Sequence, residues 1–144
     1  IESWDCSNIE FSGIGFGSAD YCASTGGDMG KASLAYGRGK IINAAALYNT
    51  LALDGVWLDF RDPDGCREET LYVKTMGFKG RFAIHPDQIK PIHDAYRPTA
   101  EELEWAKGVL EEAKTAGSGA FKYQGKMVDA PVLAVARLII SRED

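Results

Sequence analysis

Three short apolar runs, each ending in polar residues, are the feature that most limits how this chain can fold. They cover residues 12–16, 54–62 and 80–86. Between them lie two segments with helical composition, residues 34–53 and 67–76. Alternation of strands and helices is typical of parallel βα units, in which each strand is followed by a helix that crosses back over the sheet. The sequence therefore predicts an α/β fold with a parallel sheet.

Polar residues stand at or beyond the end of each apolar run, where parallel sheets carry their ligands. Asp20 follows the first run and precedes a helix-like segment, so it is either a helix N-cap or a metal ligand. Asp59 alternates with apolar neighbours in the second run, which points it into a barrel interior or against a neighbouring strand. His85 closes the third run, either as a hydrogen-bonded structural residue or as a general base. Asp62 belongs to a predicted turn, "DPDG".

The glycines around the first run do not form a dinucleotide-binding loop. The fingerprint G-x-G-x-x-G, counted from Gly13, requires glycine where this chain has Ser18. An acid at position 20 would also repel a phosphate. The glycines are better explained as sites where backbone N–H groups approach a small ligand beside Asp20.

The last third of the chain changes character. Thr99 and Glu102 form a capping box at the start of an amphipathic helix. A short hairpin is predicted around Gln124-Gly125, and the final helix has a proline in its first turn. Asp129 stands immediately before that helix, and its spacing alone favours a capping role.

Composition excludes several classes of function. The chain has 144 residues and a formal net charge of −5, with no basic cluster, which argues against nucleic acid or an anionic membrane as partner. No apolar run approaches the roughly 18–20 residues needed to cross a bilayer. Cys6, Cys22 and Cys66 are widely spaced, which predicts reduced thiols in a cytosol-like compartment. Because the first residue is Ile1 rather than Met, we expect the chain to be part of a longer protein.

Four stretches carry a resemblance to a known family: "FGSADY", "ALDGVWLDFRDPDG", "GFKGRFAIHPDQI" and "GAFKYQGKMVDAP". In this order and spacing they resemble the C-terminal half of the citrate lyase β-subunit-like family, which includes malyl-CoA and citramalyl-CoA lyases. The resemblance implies that residues 1–96 are the last three βα units of a TIM (β/α)8 barrel. It also implies that residues 97–144 form a C-terminal helix-hairpin-helix extension reaching the neighbouring subunit.

The resemblance also implies roles for particular residues. Asp20 matches the family's Mg²⁺-binding aspartate, and Mn²⁺ can take the place of Mg²⁺ there. The backbone N–H groups at Ala19 and Asp20 would hold a keto-acid carboxylate. Ile84 and His85 match positions that contact the CoA substrate. Asp129 matches an acid that acts as catalytic acid and base in the neighbouring subunit's active site. The second metal ligand, a glutamate, and an arginine that clamps the substrate carboxylate are expected in the missing N-terminal half of the barrel.

The implied reaction is a reversible Claisen-type carbon–carbon cleavage of a malyl-CoA or citramalyl-CoA type of thioester into acetyl-CoA and a 2-oxo acid. The implied partners of the chain are the CoA-thioester substrate, the 2-oxo acid and further copies of the chain, assembled as a trimer or hexamer. The expected location is the cytoplasm, or the mitochondrial matrix in a eukaryote. The alternatives are a citryl-thioester lyase, a malyl-CoA thioesterase, and an inactive fragment or interaction remnant of the fold.

Overall fold

The computed structural model describes residues 10–117 and 119–143. The chain divides into two compact units, Ile1–Tyr96 and Arg97–Asp144. Cys6 lies outside the described residues, whereas Cys22 and Cys66 are free and buried. Within the described ranges, no helix combines the length and the apolar character that a membrane span requires.

The first unit is built on a three-stranded parallel sheet in the order β1-β2-β3. Strand β1 spans Gly13–Gly15, β2 spans Leu51–Asp54 and β3 spans Gly80–Arg81. The pairing places Gly13 opposite Leu51, and Leu53 opposite Gly80. Because the strands run in one direction, their carboxyl ends meet at the same edge of the sheet. The predicted α/β fold with a parallel sheet is therefore confirmed.

Helices follow each strand of this sheet. They are α1 (Ser18–Thr25), α2 (Lys31–Leu47), α3 (Pro63–Met76), a 3-10 turn (Pro86–Gln88) and α4 (Ile89–Tyr96). Helix α3 ends at Gly77, which adopts a φ of +115° and so takes the left-handed conformation that side chains resist. The predicted stop at Gly77 is confirmed.

The prediction of a second strand over residues 54–62 is wrong. Strand β2 ends at Asp54, and residues 55–61 form a loop. The true strand residues are rich in leucine and alanine and were therefore assigned to the preceding helix. That helix ends at Leu47, and Asn49 adopts a φ of +49°, which asparagine tolerates but a continuing helix does not.

Two further boundaries differ from the prediction. The "DPDG" stretch begins α3 instead of forming a separate turn, because the Asp62 side chain accepts a hydrogen bond from the Gly65 N–H at 2.9 Å and Pro63 occupies the first turn. Strand β3 is shorter than residues 80–86. The Phe82 N–H still donates to the Asp54 carbonyl at 3.1 Å, but β2 ends there, so the following residues have no strand beside them on that side.

The second unit begins with α5 (Ala100–Ala116). The Thr99 hydroxyl accepts from the Glu102 N–H at 3.1 Å, and the Glu102 carboxylate accepts from the Thr99 N–H at 2.8 Å. This is the predicted capping box, and it satisfies donors that the first turn of a helix leaves unpaired.

A hairpin and a final helix complete the second unit. Strands β4 (Phe121–Tyr123) and β5 (Lys126–Val128) pair in antiparallel fashion, and α6 spans Ala130–Ile140. Gln124 and Gly125 between the strands have φ values of 48° and 78°, as a type I′ turn requires. The predicted hairpin is confirmed.

Each unit has its own apolar core. The first packs α2 and α3 against the helix-facing side of the sheet, with fully buried side chains at Leu34, Val73 and Phe78. The second packs α5 against α6 and the hairpin around Ala106, Val109, Val128 and Ala136. Burying an aliphatic or aromatic side chain of this kind contributes about 1.5–3 kcal/mol relative to exposure.

Candidate active site

A cleft of about 370 Å³ lies at the carboxyl ends of the strands in the first unit. Residues 15–20, Gly55, Val56 and Phe82 line it, and it is called the Asp20 cleft below. Its wall is formed by the end of β1 and the start of α1, and by the residues that follow β2 and β3. Such an edge is where parallel α/β sheets place their ligands.

The carboxylate of Asp20 is exposed in this cleft. The N-cap residue of α1 is Gly17, so the interpretation of Asp20 as the cap is wrong and Asp20 belongs to the first turn of the helix. A Cβ atom at Gly17 would lie 3.1 Å from Asp20 Oδ2. The carboxylate therefore folds back over the chain at Gly17, and a larger residue there would have to displace it by a few tenths of an ångström.

Two backbone donors stand beside this carboxylate. The Tyr21 N–H donates to the Gly17 carbonyl at 2.9 Å and so begins the intrahelical ladder. The N–H groups of Ala19 and Asp20 precede that bond, and neither finds a backbone acceptor within the part of the chain that the structure describes. Free N–H groups at the start of a helix, together with its dipole, favour a bound anion.

Phe82 covers one side of the Asp20 cleft, and its position accounts for the glycine at residue 15. A Cβ atom at Gly15 would lie 2.6 Å from the Phe82 ring, so the ring rests directly on the β1 backbone. Phe82 is 46% exposed. The glycines of the "GIGFG" stretch therefore make room for Phe82 and for the Asp20 carboxylate; they do not cradle a nucleotide phosphate.

Ile84 and His85 follow β3 but do not line the Asp20 cleft. Ile84 is 55% exposed. His85 caps the 3-10 turn, since its Nδ1 accepts from the Asp87 N–H at 3.2 Å, and its ring stacks on Phe60 with centroids 4.7 Å apart. Because Nδ1 is the acceptor here, the neutral ring carries its proton on Nε2. The structural interpretation of His85 is thus satisfied, and its other nitrogen remains available.

Asp129 belongs to the second unit and is the N-cap of α6. Its Oδ1 accepts from the Val132 N–H at 3.3 Å, and the residue is half-buried. The capping interpretation is confirmed. One such bond uses only part of a carboxylate's capacity to accept protons and hydrogen bonds.

A second polar cluster, which the sequence analysis missed, lies at the end of β2. Asp54 is completely buried; Arg38 donates to both of its carboxylate oxygens at 3.0 Å, and Arg81 donates to Oδ2 at 2.6 Å. Arg38 also pairs with Glu69 at 2.8 Å. These four residues, two cationic and two anionic, form the buried charge network. Each of the four residues comes from a different helix or strand, so no local pattern in the sequence links them.

The charges of this network neutralise one another. Burial alone would lower the pKa of the Arg38 guanidinium, but its bonds to Asp54 and Glu69 raise that pKa above its ordinary value. A cavity of about 280 Å³ borders Arg38, Glu69 and Asp59. Asp59 lies on the exposed loop and accepts from the Arg61 N–H at 3.0 Å, so its predicted place in a strand is wrong. With its ions already paired, the network is better suited to structure than to binding charge.

The described residues supply only part of a metal site. Among residues 10–117 and 119–143, no cluster of three or more His, Cys, Asp or Glu side chains is positioned to hold a metal ion. Asp20 offers one exposed carboxylate beside open space and free N–H donors. Mg²⁺ in proteins is commonly held by only one or two carboxylates, with water and substrate oxygens completing its shell. Asp20 therefore fits a Mg²⁺ site that another segment completes.

Residues 39–143 match the model of a family described as C-C bond lyase of the TIM-barrel fold. The match covers most of the chain, including β2, β3 and the whole of the second unit. The chain belongs to the C-C bond lyase family. This membership assigns the sheet of the first unit to a TIM-barrel fold.

Three proteins similar to this chain are informative. The mitochondrial citramalyl-CoA lyase of Rattus norvegicus is 37% identical over 131 residues, which are 88% of this chain and 39% of that protein. The citrate lyase subunit beta-like protein of Mycobacterium tuberculosis is 39% identical, over 90% of this chain and 50% of that protein. A crystal structure of the protein CitE from Mycobacterium tuberculosis, in complex with magnesium, acetoacetate and coenzyme A, is 36% identical and superposes with a TM-score of 0.74.

The chain spans about half the length, or less, of these relatives. The structural superposition covers 92% of this chain and 52% of the CitE chain. A three-stranded sheet cannot close into a barrel, since a TIM barrel has eight strands.

Proposed function

We propose that the complete protein is a Mg²⁺-dependent carbon–carbon lyase that cleaves a malyl-CoA or citramalyl-CoA type of thioester into acetyl-CoA and a 2-oxo acid. The observation that carries the proposal is the pairing of the exposed Asp20 carboxylate with the free N–H groups of Ala19 and Asp20, in a chain of the C-C bond lyase family. The ligands named for the CitE crystal structure, magnesium, acetoacetate and coenzyme A, support the same chemistry.

Asp20 is proposed as a protein ligand of Mg²⁺, with Mn²⁺ as a substitute. When bound, the cation would act as a Lewis acid that stabilises negative charge on the oxygen of the 2-oxo acid. The electrostatics of the cleft support this assignment. The N–H groups of Ala19 and Asp20 attract a substrate carboxylate, but the Asp20 carboxylate repels it unless its charge is neutralised.

The substrate is proposed to lie along the carboxyl edge of the sheet. The N–H groups of Ala19 and Asp20 hold the carboxylate of the 2-oxo acid fragment, and Ile84 and His85 contact the CoA portion. Ile84 is exposed and apolar, and His85 keeps Nε2 available for a hydrogen bond. Phe82, exposed at the same edge, shields the reacting carbons from water on one side.

Asp129 is proposed as the catalytic acid and base, lent by a neighbouring protomer of a trimer or hexamer. In cleavage, the substrate hydroxyl gives its proton to a water molecule and becomes the carbonyl of the 2-oxo acid, while the electron pair of the broken carbon–carbon bond passes to the acetyl-CoA fragment as an enolate. Asp129 in its acid form donates a proton to the enolate carbon, and in condensation it removes that proton. A positioned acid or base of this kind contributes about 10²–10⁴-fold to the rate.

The remaining barrel is proposed to come from a segment outside this sequence. We infer that residues 1–96 are the last three βα units of the barrel and that residues 97–144 are the extension that reaches the neighbouring subunit. The missing N-terminal half would supply a glutamate as second Mg²⁺ ligand and an arginine for the substrate carboxylate. The proposed location is the cytoplasm, or the mitochondrial matrix in a eukaryote; the rat relative is named as mitochondrial.

The test is a product analysis with the complete protein. The protein is incubated with malyl-CoA, citramalyl-CoA and a citryl thioester, each with Mg²⁺, with Mn²⁺ and with a chelator, and the products are identified by mass spectrometry. The expected result is acetyl-CoA together with glyoxylate or pyruvate, abolished by the chelator. Oxaloacetate from the citryl thioester would assign the citrate lyase type. Free CoA with malate would assign a thioesterase, and no product from any thioester would favour an inactive remnant.

A further inference from the structure

The Arg81 side chain fixes Gly55, the residue that follows β2. The Arg81 side chain is 1% exposed, and its Nε donates to the Gly55 carbonyl at 3.0 Å while Nη2 donates to Asp54 at 2.6 Å. Its third donor, Nη1, lies 3.2 Å from the Thr70 hydroxyl. A guanidinium with three fixed acceptors has little freedom, so the Gly55 peptide is fixed relative to β3 and α3.

Gly55 in turn touches the start of α1. A Cβ atom at Gly55 would lie 2.0 Å from Ser18 Oγ, 2.7 Å from Ser18 Cβ and 2.9 Å from the Phe16 carbonyl. Gly55 does not adopt a left-handed φ, so lack of space, not backbone conformation, requires glycine here. Ser18 is 2% exposed and is the first residue of α1.

The contact between Gly55 and Ser18 is steric. Within the described part of the chain, Ser18 Oγ is buried without a hydrogen-bond partner. The hydroxyl therefore does not hold α1 in place through a bond of its own. Ser18 is placed by its backbone N–H, which donates to the Phe16 carbonyl at 3.0 Å, and by the bare Cα of Gly55, on which its side chain rests.

We propose that Gly55, held by Arg81, is a positioning residue for the Asp20 cleft. By supporting Ser18 it sets where the first turn of α1 stands, and so where the Asp20 carboxylate and the N–H groups of Ala19 and Asp20 point. The inference rests on the proposed function, in which those groups bind Mg²⁺ and the 2-oxo acid. Because a misplacement of about 1 Å can cost about 10²-fold in rate, a contact two residues from the ligand is close enough to control the site.

The experiment compares Mg²⁺ affinity in variants of the complete protein that are folded, as cooperative thermal unfolding shows. Gly55→Ala is expected to weaken Mg²⁺ binding in calorimetry by about 10–100-fold, the usual cost of losing an outer contact of a metal site. It should raise the KM for the 2-oxo acid more than the KM for the thioester. Adding Ser18→Gly removes the two shortest clashes and should restore part of the affinity, leaving the contact with the Phe16 carbonyl.

Two further variants complete the design. Gly39→Ala is the matched control, since a Cβ atom there meets nothing within 4 Å, and it should leave Mg²⁺ affinity unchanged. Arg81→Met removes the donor to the Gly55 carbonyl and should weaken Mg²⁺ binding in the same direction as Gly55→Ala. A folded Gly55→Ala or Arg81→Met variant with wild-type affinity, or no rescue by Ser18→Gly, would overturn the inference.

Hydrogen exchange separates this inference from the proposed function. In the protein without metal, Gly55→Ala should speed exchange of the α1 amides, and Ser18→Gly should reverse the effect. If the wild-type protein bound no Mg²⁺ or cleaved none of the thioesters, the proposed function would fail, while the exchange pattern would still decide whether Gly55 positions α1. Unchanged exchange in Gly55→Ala would count against the positioning role whatever the activity.

Discussion

The ends of two neighbouring strands carry an aspartate each, and the two side chains have opposite environments. Asp54, the last residue of β2, is completely buried and bonded to two arginines. Asp20, shortly after β1, is exposed in a cleft beside free N–H groups. The protein neutralises one carboxylate with its own side chains and leaves the other exposed to solvent.

This difference shows that an acid at the end of a parallel strand is not in itself a ligand. Asp54 faces the helices, where α2 supplies Arg38 and α3 supplies Glu69, whereas Asp20 lies beyond its strand on a helix that opens to solvent. The direction of the side chain and the charge of the packed neighbours decide the role. Changing one acid or one contact at a time should therefore affect stability at the Asp54 end and Mg²⁺ binding at the Asp20 end.

The largest expected effect is on stability at the buried end. Asp54→Asn should lower the free energy of unfolding by about 3–5 kcal/mol, because it removes the charge that compensates two buried guanidinium groups and places an amide donor against them. Urea unfolding of the complete protein measures the change through its midpoint. Asp59→Asn is the control, since Asp59 lies on the exposed loop, and it should change the free energy of unfolding by less than about 0.5 kcal/mol. Equal losses in the free energy of unfolding for Asp54→Asn and Asp59→Asn would contradict a special structural role for Asp54.

The same contrast explains what could be predicted from the sequence. Local signals were sufficient for the capping box at Thr99, the turn at Gln124-Gly125 and the helix stop at Gly77, because each depends on residues close together in the chain. The end of β2 was misplaced because "LALD" has the composition of the helix before it. Only pairing with β1 and β3 makes it a strand, and pairing is not visible in a local window.

The candidate site divides in the same way. Asp20 could be proposed from its place after a strand, whereas the catalytic role of Asp129 was proposed only from the family resemblance, because its place before a helix favours a cap. The charge network could not, because Arg38 and Asp54 are 16 residues apart and Arg81 is a further 27 residues from Asp54. The space that Gly17 and Gly15 leave for Asp20 and Phe82 could not be predicted either, because only the fold brings those side chains against them.

Substitution of Asp129 tests whether one carboxylate can both cap a helix and act as the catalytic acid and base. Asp129→Asn should leave stability nearly unchanged, because asparagine caps a helix as well as aspartate does. It should lower turnover by about 10²–10⁴-fold, because the amide cannot exchange a proton with the enolate. Rates of acetyl-CoA release, with unfolding curves on the same samples, check both statements. A Thr99→Ala variant provides the converse control: loss of that cap should cost about 1 kcal/mol in stability with turnover retained.

Asp20→Asn should give the reverse of the Asp54 result. We expect stability within about 0.5 kcal/mol of the wild type, because the side chain is exposed. Mg²⁺ affinity should fall by about 10²-fold or more, since losing a direct ligand exceeds the 10–100-fold cost of losing an outer contact. Metal titration by calorimetry is the measurement. Unchanged Mg²⁺ affinity would remove Asp20 from the metal site, and a large loss of stability would mean that both strand ends are structural.

The smallest expected effects come from two glycines of α2, the helix that joins the two regions. A Cβ atom at Gly37 would lie 2.7 Å from the buried Phe16 ring and 3.2 Å from Tyr21, so α2 presses there on the elements that lead to Asp20. Gly37→Ala should therefore destabilise the protein, by about 1–3 kcal/mol for an overpacked contact. Gly39→Ala meets nothing within 4 Å and should stabilise the helix by about 0.5–1 kcal/mol. Thermal unfolding of both variants gives the signs. Opposite signs would show that α2 packs closely on Phe16 and Tyr21 at Gly37 but not at Gly39, and a stabilising Gly37→Ala substitution would contradict that close contact.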